Sequence, residues 1–391
     1  MKIMLINKKY DIGIIGDLCG NDILLAETML KNNIKPIVLR PASSKNASQK
    51  EEMSLLGSYI LQFSSNDIYY FKSAFDLFRT TCRCKVLISF TLGIISHLRR
   101  LYPLIYLPCF PPVINVTTGS DITELIAENT FGSRLYRHHL RMSQINLCAC
   151  YPHAIKNIQK YRIPNVYFSR FPYYVAPKKF PFQEDEHLVF FHPSHFDWKV
   201  NDPGAYRNSS KGNDRFVRAF MRAVRNGLRA KCVILYRGSD RDEAKKMIAA
   251  AGMEDHFIWR EHLTRDELFD EYSRAHVVVD QFDVGGLGGI SVEAMSVGRP
   301  VIMYVNENCA RLIYSNDLPP VLNCWSEDEI YEQIMKCKDR LYFHDMGNKS
   351  REWVMRNHHW STCMDQFLFY YSLLTGHIVK DYGWNKSAYG N

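Results

Sequence analysis

Four glycines within five positions, Gly285, Gly286, Gly288 and Gly289, separate an apolar run at Val277, Val278 and Val279 from a stretch that opens at Ile290. This composition predicts a strand, a glycine-rich loop that lets backbone approach a ligand closely, and then a helix. Unpaired amides and the helix dipole make a helix start attractive to anions, so Gly288, Gly289, Ile290 and Ser291 are placed for a diphosphate. Glu293 falls one turn further on, where a carboxylate accepts hydrogen bonds from ribose hydroxyls. The chemistry implied is binding of a nucleotide sugar.

The glycine loop is followed by Val292-Glu293-Ala294-Met295 and then by Gly298, Pro300, Val301 and Ile302. This order resembles the nucleotide-sugar site of the retaining GT-B glycosyltransferases of family 4, which build bacterial surface polysaccharides among other glycans. The resemblance is good over residues 190–305 and loose over 1–175. It implies an α/β fold of the GT-B type, with two Rossmann-like domains facing a cleft and a C-terminal helix crossing back to the first domain. The family carries two glutamates eight positions apart; the second matches Glu293, and the first falls on Gly285. Asp280, Gln281 and Asp283 lie just upstream as candidates to replace the missing contact with the donor sugar.

The resemblance assigns further residues. Lys211-Gly212 matches a Lys-Gly pair that opens a helix in the family, and the lysine, with Arg207 as its partner, would neutralise charge building on the departing diphosphate. Thr117 to Ile122 resembles a His-Gly-(Ser or Thr)-Asp-Ile segment beside the reacting sugar. Thr118 stands where the histidine would be, and its hydroxyl bonds a sugar without titrating near neutral pH. Asp121 would orient acceptor or loop, or cap the next helix. Gly238, in Tyr236-Arg237-Gly238-Ser239-Asp240, falls on the nucleobase side, with residues 257–263 alongside, and Gly16 opens a loop on the acceptor side.

The implied activity is a glycosyltransferase of the hexosyltransferase type, with a UDP- or GDP-sugar donor and a glycan or polyprenyl-diphosphate-linked acceptor. Lys211, Arg207 and the helix amides would stabilise the leaving group, so neither a divalent metal nor another cofactor is required. Retention of configuration is implied by the family alone. Two other classes share such a site. A non-transferase on this fold, such as a UDP-sugar epimerase, would need carboxylates for acid–base work; a non-catalytic sugar-nucleotide or glycan-binding protein is suggested by Gly285 and Thr118.

Composition fits this frame. A chain of 391 residues, 46% hydrophobic and 23% charged, buries ample core and suggests two domains. No apolar run approaches the roughly 20 residues of a spanning helix. Lys8, Lys9, Asp11 and Asp17 interrupt any signal-peptide pattern, and eleven scattered cysteines suggest reduced cytosolic thiols. Cys82 and Cys84, like Cys148 and Cys150, are too closely spaced for a zinc knuckle and read as buried strand cysteines. The net charge of +8 is concentrated in residues 1–175, where 21 Lys and Arg face 11 Asp and Glu. Such a field suits an anionic bilayer or a lipid diphosphate, and hence the cytoplasm including the inner face of its membrane. Leu101, Tyr102, Leu104, Ile105, Tyr106 and Leu107 would dip into that interface. No nucleic-acid-binding motif accompanies the charge.

The elements that must position these residues alternate between strand and helix. Strands are expected at 2–6 continuing at 12–15, then 36–39, 85–90, 113–116 and 146–150. A second series is expected at 188–191, 232–236, 257–259, 277–280 and 301–303, with helices between. The first loop lacks the spacing and the acidic residue of a dinucleotide fingerprint. Pro172, Pro177 and Pro181 break periodicity over 169–186, which reads as a linker. The domains are therefore an acceptor-binding one at 1–175, a nucleotide-sugar-binding one at 186–358, and a helix and tail at 359–391 returning to the first.

Overall fold

The structure, a computed structural model, describes residues 8–16, 21–44, 68–176, 178–183, 186–199 and 210–376. Arg207, the expected strand at 2–6 and residues 17–20 of the first loop lie outside them. Strands rich in Val, Ile and Leu without polar alternation are buried on both faces, the signature of parallel sheets covered by helices. The chain forms two such α/β units, each Rossmann-like.

The first unit comprises Met1–Ala149, Ala154–Pro172 and Trp360–Asn391. Its strands are β1 Tyr10–Ile15, β2 Pro36–Pro41, β3 Ile68–Phe71, β4 Cys84–Phe90, β5 Val113–Thr117, β6 Ile145–Cys148 and β7 Val166–Phe168. They are all parallel, in the order β3-β2-β1-β4-β5-β6-β7. Helix Trp360–Thr375 packs on this unit, with the Phe367 and Phe90 rings 6.3 Å apart and Ser169 Oγ donating to Gln366 Oε1 at 2.8 Å. Cys82, Cys84 and Cys148 are buried and form no disulfide among the described residues, and the same holds for Cys150 of the second unit.

The second unit comprises Cys150–His153 and Tyr173–His359. Among its described residues, parallel strands β8 Leu188–His192, β9 Ala230–Leu235, β10 Phe257–Arg260, β11 Val277–Val279, β12 Val301–Met303 and β13 Leu322–Asn323 run in the order β10-β9-β8-β11-β12-β13. Successive strand residues face opposite sides. Phe190 thus joins Phe216, Phe220 and Ile234 on one face, while Phe191 joins Val278, Val292, Met295 and Trp353 on the other.

The stretch at 169–186 is not a free tether. From Tyr173 onward its described residues are fastened to the second unit: Ala176 N donates to Ser296 Oγ at 3.0 Å and Phe180 N to Val297 O at 3.2 Å. Each sheet reverses its strand order once, between β1 and β4 and between β8 and β11, and in doubly wound sheets ligands bind outside the strands' carboxyl ends at such a switch point. No helix among the described residues is long and apolar enough to cross a membrane.

Candidate functional site

At the carboxyl ends of β8 and β11 the second unit gathers Ser194, Lys211, Asp280, Ser291 and Glu293. Asp280, 4% exposed, follows β11 directly. The Ser194 and Ser291 hydroxyls, the Ser291 amide and the Lys211 cation face its carboxyl; burial nevertheless holds it above the ordinary carboxylate range. Helix Gly289–Ser296 starts here. Gly288 N donates to Ser291 Oγ at 2.9 Å, and Ser291 Oγ donates to Gly288 O at 2.9 Å, so a serine three residues in ties down the glycine before the helix. Of the four amides expected at an anion, that of Gly288 is taken by Ser291 and that of Ser291 faces Asp280. The amides of Gly289 and Ile290 remain as first-turn donors that no intrahelical carbonyl reaches.

Lys211 is positioned by its backbone. Its N–H donates to Asp197 O at 2.6 Å and its carbonyl accepts from Phe282 N at 2.7 Å, which ties the segment before helix Asn213–Arg225 to the glycine loop. Asp283, expected among the ligand-binding residues, is ion-paired with Arg215, whose guanidinium also lies 5.1 Å over the Trp325 ring. Gln281 braces the loop, donating from Nε2 to Gly286 O at 2.8 Å and accepting from Val284 N at 2.7 Å. Gly286 is required by a close approach: a Cβ there would run into the Tyr151 ring, whose hydroxyl donates to Leu287 O at 3.3 Å. His192, at the end of β8, is fully buried between Phe196 and Phe216, hydrogen-bonded to Asn213 at 2.7 Å, and pushed down to about 4 by burial.

Glu293 is 7% exposed and already has partners. Arg265 Nη2 donates to its Oε1 at 2.7 Å, and Tyr272 OH to its Oε2 at 3.4 Å. Burial pushes the carboxyl up to about 7 against the pull of Arg265 and the Tyr272 hydrogen bond, with Asp280 adding to the rise. Arg265 is the residue the sequence reading missed. Its only local signal is the Thr264–Glu267 capping box that starts helix Arg265–Arg274; its contact with Glu293 spans 28 positions.

The other expected residues lie elsewhere. Gly238, with φ +102, abuts the Phe196 backbone, where a Cβ would collide, and Asp240 N donates to Phe196 O at 2.8 Å. It fastens the loop after β9 to the loop after β8. Gly16 and Asp121 belong to the first unit. Gly16 ends its loop-side strand against Phe90 and Gly93. Asp121 Oδ1 accepts from the amides of Thr118, Gly119 and Ile122 at 3.1, 2.9 and 3.0 Å, and Tyr136 OH reaches its Oδ2 at 3.3 Å, so it orders the loop after β5. Burial raises that carboxyl while the three amides pull it back.

Residues 205–351 match the family model described as Glycosyl transferases group 1. A curated relative from Mycobacterium tuberculosis, the GDP-mannose-dependent alpha-(1-6)-phosphatidylinositol monomannoside mannosyltransferase, is 28% identical over 160 residues, or 39% of this chain. The aligned part covers 42% of that relative, so the chain spans less than half the length of the curated relatives it matches. Among solved structures, Anabaena HepE in complex with UDP-glucose superposes with a TM-score of 0.61 at 12% identity, covering 93% of this chain and 100% of that one. Staphylococcus aureus TarM, in a mutant complexed with Fondaparinux, alpha-GlcNAc-glycerol and UDP, gives 0.54 at 13%, covering 74% and 56%. The second unit therefore carries a glycosyl transferases group 1 domain, and the fold is that of the GT-B glycosyltransferases.

Proposed function

We propose that this chain, whose second unit is a glycosyl transferases group 1 domain on the GT-B fold, moves a sugar from a nucleoside-diphosphate sugar to a glycan or lipid-linked acceptor. The observation that carries the reading is the convergence of the Lys211 cation, the first amides of helix Gly289–Ser296 and the buried Glu293 at one sheet switch point. A diphosphate seated on the Gly289 and Ile290 amides meets positive potential from the helix end and from Lys211. Glu293, one turn deeper, then takes the ribose hydroxyls. As the bond from the sugar's anomeric carbon to the diphosphate oxygen breaks, negative charge grows on that oxygen, and donors already aimed there lower the barrier. No divalent cation is needed for this step. With leaving group and incoming hydroxyl on one face of the sugar, configuration is retained without a protein base.

The relative's name specifies GDP-mannose and both structural neighbours hold UDP or a UDP-sugar, which supports a uridine or guanosine donor. Calorimetry against UDP, GDP, CMP and ADP, each with and without EDTA, is the direct test. One of the first two is expected to bind equally well with EDTA, and Glu293→Ala to lose about 10-fold or more in affinity, the cost of leaving hydrogen-bonded groups without their charged partner. Absence of binding by all four would refute the reading.

The acceptor side of the proposal is a lipid-linked glycan at an anionic, cytoplasm-facing bilayer, in cell-surface polysaccharide synthesis. In the first unit Tyr106, Leu107 and Phe131 are exposed at 40%, 44% and 78%, beside the exposed Arg99, Arg100, Arg134 and Arg141. His138 joins the two segments, its ring 5.6 Å from that of Tyr106. Each arginine near an anionic surface contributes about 1 kcal/mol. Arg134→Glu with Arg141→Glu is expected to reduce sedimentation with anionic vesicles at least 20-fold and to leave neutral vesicles unbound as before; equal binding to both vesicle types would remove the membrane from the proposal.

A further inference from the structure

We propose that Arg265 is a positioning residue for Glu293, holding its carboxylate ionised and aimed so that it accepts from the nucleotide's ribose; this inference rests on the function proposed above. The geometry is specific. Arg265 is the first residue of helix Arg265–Arg274, placed there by Thr264, which accepts from Glu267 N while the Glu267 carboxylate accepts from the Thr264 amide. Its guanidinium lies 4.8 Å over the Tyr174 ring and 5.9 Å from Phe269, and those rings meet edge to face at 4.9 Å. Stacking fixes the plane of the guanidinium, and a planar fork so fixed loses little freedom when it binds a carboxylate. Nη2 then reaches Glu293 Oε1 at 2.7 Å.

Two turns further along the same helix, Tyr272 presents its hydroxyl to Oε2. The two oxygens of Glu293 are thus each held by one end of a single helix.

Three groups face Glu293 from the elements packed around it: Arg265 and Tyr272 from helix Arg265–Arg274, and Asp280 from the end of β11. Tyr272 is raised far above the phenol range by burial and stays a proton donor. Asp280, as an anion, opposes ionisation of Glu293, and so does burial. Arg265 is the one cation of the set. Removing it leaves burial and Asp280 to act, which raises the carboxyl further and shifts its ionised form to higher pH. A protonated Glu293 has lost part of its capacity to accept, so nucleotide affinity falls as pH drops through the carboxyl's midpoint.

The test is calorimetric affinity for UDP and GDP from pH 5.5 to 9 in the full chain, comparing wild type with Arg265→Met, Arg265→Lys, Glu293→Gln and the Arg265→Met/Glu293→Gln pair. Titration of the nucleotide's own phosphate is common to all of them, so differences report on the protein. The expected result is a midpoint at least one pH unit higher in Arg265→Met, recovered in part by Arg265→Lys. In the Glu293→Gln background, Arg265→Met should change affinity less than twofold. An unshifted midpoint with affinity lost evenly at every pH, or full additivity of the two changes, would overturn the inference and leave the proposed function standing. No nucleotide binding by wild type at any pH would instead overturn the proposed function, and the inference with it.

Discussion

Replacing Lys211 by alanine is expected to slow sugar transfer by about 100- to 1,000-fold, the range found when one preorganised donor is removed from a developing oxyanion. The fold should survive, because Lys211 is held through its backbone bonds to Asp197 and Phe282, which alanine keeps, and its side chain is only half-buried. Part of the loss should appear in binding, since the cation also faces the diphosphate in the ground state. The larger part belongs to kcat, because charge on the departing oxygen grows only as the glycosidic bond breaks. Asp280 gives a second readout. The Lys211 cation lowers that carboxyl, so alanine lets burial raise it further and leaves an acid more often protonated under the helix start. Steady-state kinetics at saturating donor, with a melting curve for each protein, decides the matter. A transfer rate within threefold of wild type would exclude Lys211 from leaving-group stabilisation.

How much of this was legible in the sequence follows from what sequence signals encode. The α/β alternation was visible because interior parallel strands are continuous apolar runs: β4, β5, β8, β9 and β12 are nearly all buried. The GT-B resemblance rested instead on the glycine loop and the Val292-Glu293-Ala294-Met295 stretch after it. Three strands left no such run. Ile68–Phe71 and Val166–Phe168 are half-exposed sheet edges, and Leu322–Asn323 is an edge of two residues, so one-sided burial imposes little pattern. The glycine loop was legible as a local motif. Lys211 was legible through its Lys-Gly match, but the pairings of the acids beside the loop were not. Asp280 and Asp283 have the composition of ligand-binding acids, yet one lies buried under Ser291 and the other is paired with Arg215 from 68 positions earlier. Arg265 escaped notice for the same reason: an arginine opening a helix looks solvated until tertiary register brings a buried carboxylate to it.

Arg299 is the place where the second unit is most exposed to a single substitution. It is fully buried, and among the described residues its hydrogen bonds go to four carbonyls and no carboxylate: Tyr272 O at 3.1 Å, Ser273 O at 2.7 Å, Phe180 O at 2.9 Å and Pro181 O at 2.8 Å. Two of these belong to the last turn of helix Arg265–Arg274, whose terminal carbonyls need partners and favour a cation. The other two belong to the chain entering the second unit. The guanidinium also lies 4.2 Å over the Phe182 ring. Burial pulls it down to about 10, which still leaves it charged at neutral pH. Arg299→Met keeps much of the volume but strands four acceptors, so a loss of about 3–5 kcal/mol is expected, the scale for breaking a buried charged network. For a unit of this size that lowers the melting temperature by about 6–20 °C. Because the same helix carries Arg265 and Tyr272, nucleotide affinity should fall too, even at temperatures where the variant remains folded. Arg299→Lys should recover a minority of the stability, since one ammonium cannot span four carbonyls. Calorimetric melting of the three proteins measures this directly. A shift under about 2 °C for Arg299→Met would mean that water satisfies those carbonyls as well as the guanidinium does, and that the helix is anchored by its apolar contacts alone.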